Sequence, residues 1–231
     1  SRRLESGGCG QNSKCNNDYY IKKGKDKMNE KARKYVDLFR NVKIASAGTV
    51  DGEGHPRSRI INVMIAADEG MYIVTAKGKP FYKQLVETGE IALSAMCPDC
   101  QSLKFNGKVK KVEKKWVDEV FKQNPGMNEV YPGDTRYILD AFLIYEGYGE
   151  WFDLLHYPIN RESFSYGVEE EQAGYEIMAN CTSCGTCLSV CPQKCITLGA
   201  NNAYKINPVH CLQCGACQEA CPADAVRKIH Q

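Results

Sequence analysis

The chain has 231 residues, 43% of them hydrophobic and 25% charged, the balance of an ordinary folded soluble protein rather than a disordered or fibrous one. Lys and Arg total 30 against 28 Asp and Glu, a net charge of +2 that lacks the basic excess a nucleic-acid binder needs. No apolar run approaches the roughly 20 residues that cross a bilayer, and no apolar signal core follows Ser1, Arg2 and Arg3, so a cytoplasmic protein with no membrane contact is expected.

Residues 1–27 are polar and glycine-containing, without apolar periodicity, and read as a tail. Across 28–41, Ala32, Tyr35, Val36 and Phe39 recur at helical spacing. The pattern then changes to strands. Residues 42–50 form the first, and Asp51-Gly52-Glu53-Gly54 is a hairpin turn. Residues 58–67 predict the second strand and 71–76 the third, with a turn at 68–70 between them. A short helix is expected over 79–88, closed by Gly89 as its C-terminal cap. Strands follow at 90–96 and 103–113, then a helix around 115–122 and a last long strand-pair region at 139–155. One helix followed by five or six antiparallel strands, with a helix after the third, predicts a closed or split β-barrel.

Within this stretch, His55-Pro56-Arg57-Ser58-Arg59-Ile60-Ile61-Asn62 begins the second strand, and Val74-Thr75 ends the third sixteen residues beyond Arg59. Ala76-Lys77-Gly78-Lys79-Pro80-Phe81-Tyr82-Lys83 then turns into the helix. Residues 28–165 thereby resemble the split-barrel FMN-binding proteins, the superfamily of pyridoxamine-phosphate oxidases and flavin reductases. The resemblance implies FMN held by Arg59, Ile60, Ile61, Asn62, Val74, Thr75, Lys77, Lys79 and Lys83, and a homodimer with flavin at its interface. The residue chemistry is compatible: Arg59, Thr75 and the three lysines set cations and a hydroxyl about a helix start suited to a phosphate dianion. Taken alone, the lysines read equally as a solvated turn and helix face. Two departures argue against oxidation of a vitamin-B6 phosphate: Pro80-Phe81 replaces the oxidases' Arg-Lys pair, and Met64 replaces a Lys.

Thirteen cysteines are present, nine of them in the last 51 residues. Cys181, Cys184, Cys187 and Cys191 precede Pro192, and thirty residues on Cys211, Cys214, Cys217 and Cys221 precede Pro222. Each copy is C-x2-C-x2-C-x3-C-P, in which two-residue spacers let three thiolates converge from one loop on an iron–sulfur cube. A pair of zinc knuckles is the competing reading. Residues 176–231 resemble a bacterial two-cluster ferredoxin, in which the fourth Cys of each run serves the other cluster. The resemblance implies one [4Fe–4S] cluster on Cys181, Cys184, Cys187 and Cys221, and a second on Cys211, Cys214, Cys217 and Cys191. Cys195 aligns with Ala225 and reads as a small packing position. The module's net charge of +1 suits a wire that feeds its own chain better than a free ferredoxin, a family commonly acidic.

Cys9, Cys15, Cys97 and Cys100 remain, and could form a zinc or third iron–sulfur site, a redox pair at Cys97 and Cys100, or unligated thiols. His55 and His156 read as surface histidines rather than proton donors, and Trp116 and Trp151 as core or dimer-contact aromatics. Together the modules predict a β-rich α+β iron–sulfur flavoprotein oxidoreductase, passing electrons from an external donor protein through two clusters to FMN, which reduces a small acceptor. An electron-transfer subunit without its own substrate is the alternative. An FMN-binding sensor or store is the third reading, disfavoured by eight cluster ligands.

Overall fold

The computed structural model describes residues 28–170, 173–199 and 202–229. The expected tail at 1–27, with Cys9 and Cys15, lies outside the described residues. Helix α1 (Glu30–Val42) opens the fold, its first turn capped by Asn29, whose side chain accepts the Ala32 N–H at 2.8 Å. Its buried stripe is the expected one, Ala32, Tyr35, Val36 and Phe39, and it packs into the barrel interior.

Strand β1 (Ile44–Val50) pairs with β2 (Pro56–Asn62) across a turn in which the Asp51 carboxylate accepts the Glu53 and His55 N–H groups. The single strand expected at 58–67 is in fact two. β3 (Ile65–Ala67) is separated from β2 at Val63 and Met64, where the Val63 N–H donates to the Lys43 carbonyl and the Met64 N–H to the Tyr72 carbonyl. The chain there crosses from β1 to β4 (Gly70–Ala76), which draws the two ends of the sheet together. Hydropathy alone hides this break, because Val63 and Met64 are both buried.

Helix α2 (Pro80–Thr88) ends at Gly89, whose φ of 66° is the left-handed conformation expected of a cap. β5 (Glu90–Met96) and β6 (Ser102–Lys111) follow, then α3 (Lys115–Gln123), the short α4 (Met127–Val130), β7 (Leu139–Asp153) and β8 (Asn160–Tyr166). The sheet runs β2-β1-β5-β6-β7-β4-β3, with β8 also on β7. β7 alone fills most of the region expected to hold a strand pair; its partners are β4 along Leu139–Ile144 and β8 along Gly147–Asp153. The changeover needs a bend. A register shift lies at Lys108/Val109, and Gly147 has φ of 152° with its Cα so close to β6 that a Cβ would stand 2.2 Å from the Asn106 carbonyl oxygen.

Two apolar clusters result. One fills the barrel under α1 and α2 around Tyr35, Phe39, Phe105, Phe142 and Phe164; the other lies beneath α3 around Tyr72, Val117, Phe121 and Leu143. Trp116 stacks on Tyr72 at 4.1 Å and Trp151 on Tyr35 at 6.3 Å.

The remaining module is small. β9 (Gly174–Ile177) pairs with β12 (Val226–Ile229), and β10 (Ile196–Leu198) with β11 (Tyr204–Ile206), around helices α5 (Thr186–Val190) and α6 (Ala216–Glu219). Among the described residues no helix is long and apolar enough to cross a membrane.

Candidate cofactor sites

The thirty-residue repeat is also a repeat of backbone shape. Ser183 and Gln213, Gly185 and Gly215, and Lys194 and Asp224 all adopt positive φ. These left-handed residues fold each Cys-x2-Cys-x2-Cys run into a loop, and the loop turns its thiols toward a cavity. One cavity is lined by Cys181, Cys184, Cys187 and Cys221, with Tyr204 at its wall. The other is lined by Cys211, Cys214, Cys217 and Cys191, with Cys195 and Tyr175 also at its wall. The fourth cysteine of each run therefore faces the cavity of the other run. Both linings are free of carboxylates. Four thiols spread around a cavity fit a cubane, whose iron corners each take one sulfur. Among the described residues no three His, Cys, Asp or Glu side chains gather closely enough for a single metal ion.

Hydrogen bonds reach several sulfurs. The Ala225 N–H points to Cys221 Sγ and the Gln213 N–H to Cys211 Sγ, both at 3.3 Å. Thr186 Oγ1 lies 3.3 Å from Cys184 Sγ, and its hydroxyl holds the Cys184 thiol below its ordinary pKa. Cys195 is 6% exposed, like its buried counterpart Ala225, yet its sulfur is 3.5 Å from that of Cys191.

This module docks on the barrel at Tyr157 and Ile159, the Tyr157 hydroxyl donating to the Pro192 carbonyl at 3.2 Å. The Ile159 N–H donates to Gln193 Oε1 at 2.9 Å, and the Ile159 carbonyl accepts from His210 Nδ1 at 2.8 Å. Gln193 follows Cys191 by two positions and His210 precedes Cys211, so the cavity of Cys191, Cys211, Cys214 and Cys217 is the one whose loops meet the barrel.

On the barrel, Arg59 points inward from β2. Its guanidinium donates to the Ala47 carbonyl (3.1 Å), Thr49 Oγ1 (2.6 Å) and Gln84 Oε1 (2.7 Å), and lies 4.5 Å from the Phe81 ring at the start of α2. Burial lowers its pKa from the usual arginine value. Thr75 is buried at the end of β4, while Lys77, Lys79 and Lys83 are exposed along the turn and first turn of α2. Val74 instead packs in the cluster beneath α3. β2 pairs with β1 along one side and stands at an edge of the sheet, so the backbone of Ile60, Ile61 and Asn62 lies on an edge strand.

Sequence reasoning missed a second charged centre beside that turn. Asp140, its side chain 1% exposed, receives Lys114 Nζ at 2.8 Å, Lys111 Nζ at 3.1 Å and the Tyr82 hydroxyl at 2.9 Å, with Lys77 Nζ at 3.9 Å. Burial pushes its carboxyl up, but the hydrogen bonds from Lys114, Lys111 and Tyr82 outweigh that and hold it at about 2. The available signal was an aspartate inside the apolar run Leu139-Asp140-Ala141-Phe142-Leu143-Ile144.

The other singled-out residues sit apart from these sites. Cys97 is buried and Cys100 exposed in the tight turn joining β5 to β6, and burial pushes the Cys97 thiol up, opposite to an activated nucleophile. His55 and His156 are exposed and pair with Asp51 and Asp153 respectively.

Comparison with known proteins places both modules. Residues 180–225 match the family described as a 4Fe-4S dicluster domain. A comparison with curated proteins found no match. Among solved structures, a NimC/NimA family protein from Clostridium acetobutylicum aligns at 18% identity and TM-score 0.51, covering 59% of this chain and 94% of its own. A pyridoxinephosphate oxidase family protein from the same organism (15%, 58% and 94%, TM-score 0.45) also aligns. So does a pyridoxamine 5'-phosphate oxidase-related, FMN-binding protein from Nostoc punctiforme (11%, 61% and 96%, TM-score 0.42). The fold assignment rests on the first of these. The chain is a split β-barrel followed by a ferredoxin-type 4Fe-4S domain.

Proposed function

We propose that this chain is an iron–sulfur flavoprotein oxidoreductase. Two [4Fe–4S] clusters, on Cys181, Cys184, Cys187 and Cys221 and on Cys211, Cys214, Cys217 and Cys191, would supply single electrons, and FMN in the barrel would supply two-electron transfer to a small acceptor. The observation that carries this reading is the pair of four-cysteine cavities, one of them fastened to the barrel by Gln193 and His210. A wire docked on a barrel has a use only where the barrel holds a redox partner.

The residues at the start of α2 support FMN. Lys77, Lys79 and Lys83 offer exposed cations to a phosphate. Thr75 adds a hydroxyl, and the open backbone edge of β2 at Ile60–Asn62 offers hydrogen bonds to the rim of a flat ring. Arg59 anchors that edge to α2 through Thr49 and Gln84, so its part is to position strand and helix against one another. Asp140 holds Lys111 and Lys114 beside the same turn.

Two chains pairing through the outer sheet face, where Ile44, Ile60, Met96 and Tyr148 stand exposed, would bury an apolar surface and complete the site. A cleft of about 640 Å³ crosses this face between Thr49, Ser58, Asn106 and Tyr148, large enough for a small acceptor.

The test is composition after anaerobic purification of Arg59→Ala. FMN per chain falls while iron per chain stays at the wild-type level; equal loss of both would place the flavin site elsewhere. Reduced ferredoxin offered with candidate acceptors then separates an enzyme, which turns over, from a relay, which does not.

A further inference from the structure

The two halves of the ferredoxin-type module repeat each other, and they differ beside the sulfurs in a reciprocal way. At Cys184 the neighbouring hydroxyl is Thr186, 3.3 Å away; the thirty-residue counterpart of Thr186 is Ala216. At Cys191 the neighbouring group is the Cys195 thiol, 3.5 Å away; the counterpart of Cys195 is Ala225. Each cavity thus has a side-chain donor where the other has alanine; Thr182, whose counterpart is Leu212, also reaches Cys184, and Cys195 also reaches Cys211 of the same cavity. Each cavity also has a backbone donor at 3.3 Å, to Cys211 in one and to Cys221 in the other.

When Cys184 and Cys191 ligate iron as thiolates, the hydrogen in each pair belongs to the neighbour: the Thr186 hydroxyl and the Cys195 thiol donate. A hydrogen bond to a ligand sulfur favours the more electron-rich reduced cluster and raises its potential. We propose that Thr186 and Cys195 are positioning residues that set the reduction potentials of the two clusters separately, Thr186 acting through Cys184 and Cys195 through Cys191. Cys195 serves the cluster whose loops meet the barrel at Ile159, so the step next to the barrel has its own adjustment. Alanine at either position is a packing the fold already uses, at Ala216 and Ala225.

This inference rests on the two-cluster reading above. The experiment is an anaerobic potentiometric titration followed by electron paramagnetic resonance, with iron analysis, on wild type, Thr186→Ala, Cys195→Ala and the double variant. All should retain about eight iron atoms per chain. Each single variant should make one cluster, a different one in each case, about tenfold harder to reduce, which is about 59 mV for one electron. The double variant should move both, and Thr186→Ser and Cys195→Ser should recover most of each shift. Potentials unmoved at full iron content would overturn the inference, as would both clusters moving together in each single variant. Loss of about half the iron in Cys195→Ala would overturn it too, by making Cys195 a ligand. Wild type without iron would instead defeat the cluster reading itself.

Discussion

Asp140 shows how a single buried charge is kept. Its carboxylate is out of water, and Lys111, Lys114 and Tyr82 together hold it ionised at about 2 against an ordinary 3.8. A folded pKa below the unfolded one stabilises the fold above pH 4, and the contribution fades as pH falls toward 2. The shift corresponds to about 2 kcal/mol. Asp140→Asn should therefore lower the urea midpoint clearly at pH 6, and the gap from wild type should narrow between pH 4 and pH 2. A gap independent of pH would remove the ion cluster as its cause. Arg59 is a different kind of residue. The family resemblance implied a flavin contact for it, and the structure shows its guanidinium tied to Thr49 and Gln84. Arg59→Ala removes its bonds to both, though Thr49 Oγ1 still donates to Gln84 Oε1 at 2.6 Å, so the cost should be about 1 kcal/mol and a thermal melt of the variant should accompany the flavin assay.

Among the elements, those legible in the sequence carry their own punctuation. α1 follows from the spacing of Ala32, Tyr35, Val36 and Phe39; α2 ends where Gly89 was expected to cap it; β5 falls on the expected residues. The misses have one physical origin. A continuous apolar run does not reveal where a strand changes partner, so the break at Val63–Met64 and the passage of β7 from β4 to β8 were invisible to periodicity. β7 needs Gly147 for that passage, because a methyl group there would meet the Asn106 carbonyl oxygen at 2.2 Å. Gly147→Ala should destabilise the barrel by about 3 kcal/mol, read as a lower denaturant midpoint. A midpoint unchanged from wild type would mean that the bend does not depend on glycine.

For the whole molecule, the repeat made the ferredoxin-type module readable, and Cys191 and Cys221 each line the cavity of the other run. How the module attaches was not readable, since Ile159, Gln193 and His210 carry no motif. They act through backbone groups of one buried residue, and only the folded arrangement brings them together. Gln193→Ala leaves the Ile159 N–H buried without a partner, a cost of about 1–3 kcal/mol. Hydrogen exchange at the Ile159 amide should then quicken about tenfold or more, while amides in the β1–β5 ladder stay protected. Exchange unchanged at Ile159 would show that the docking contact does not hold in solution.

An electron path from donor to acceptor requires iron–sulfur centres and a flavin on one polypeptide. Metal, sulfide and flavin analysis of the anaerobically purified chain tests it most directly. The expected product is a brown protein with about eight iron atoms, as much sulfide, and about one FMN per chain. Zinc in place of iron, or a chain without a yellow chromophore, would contradict it.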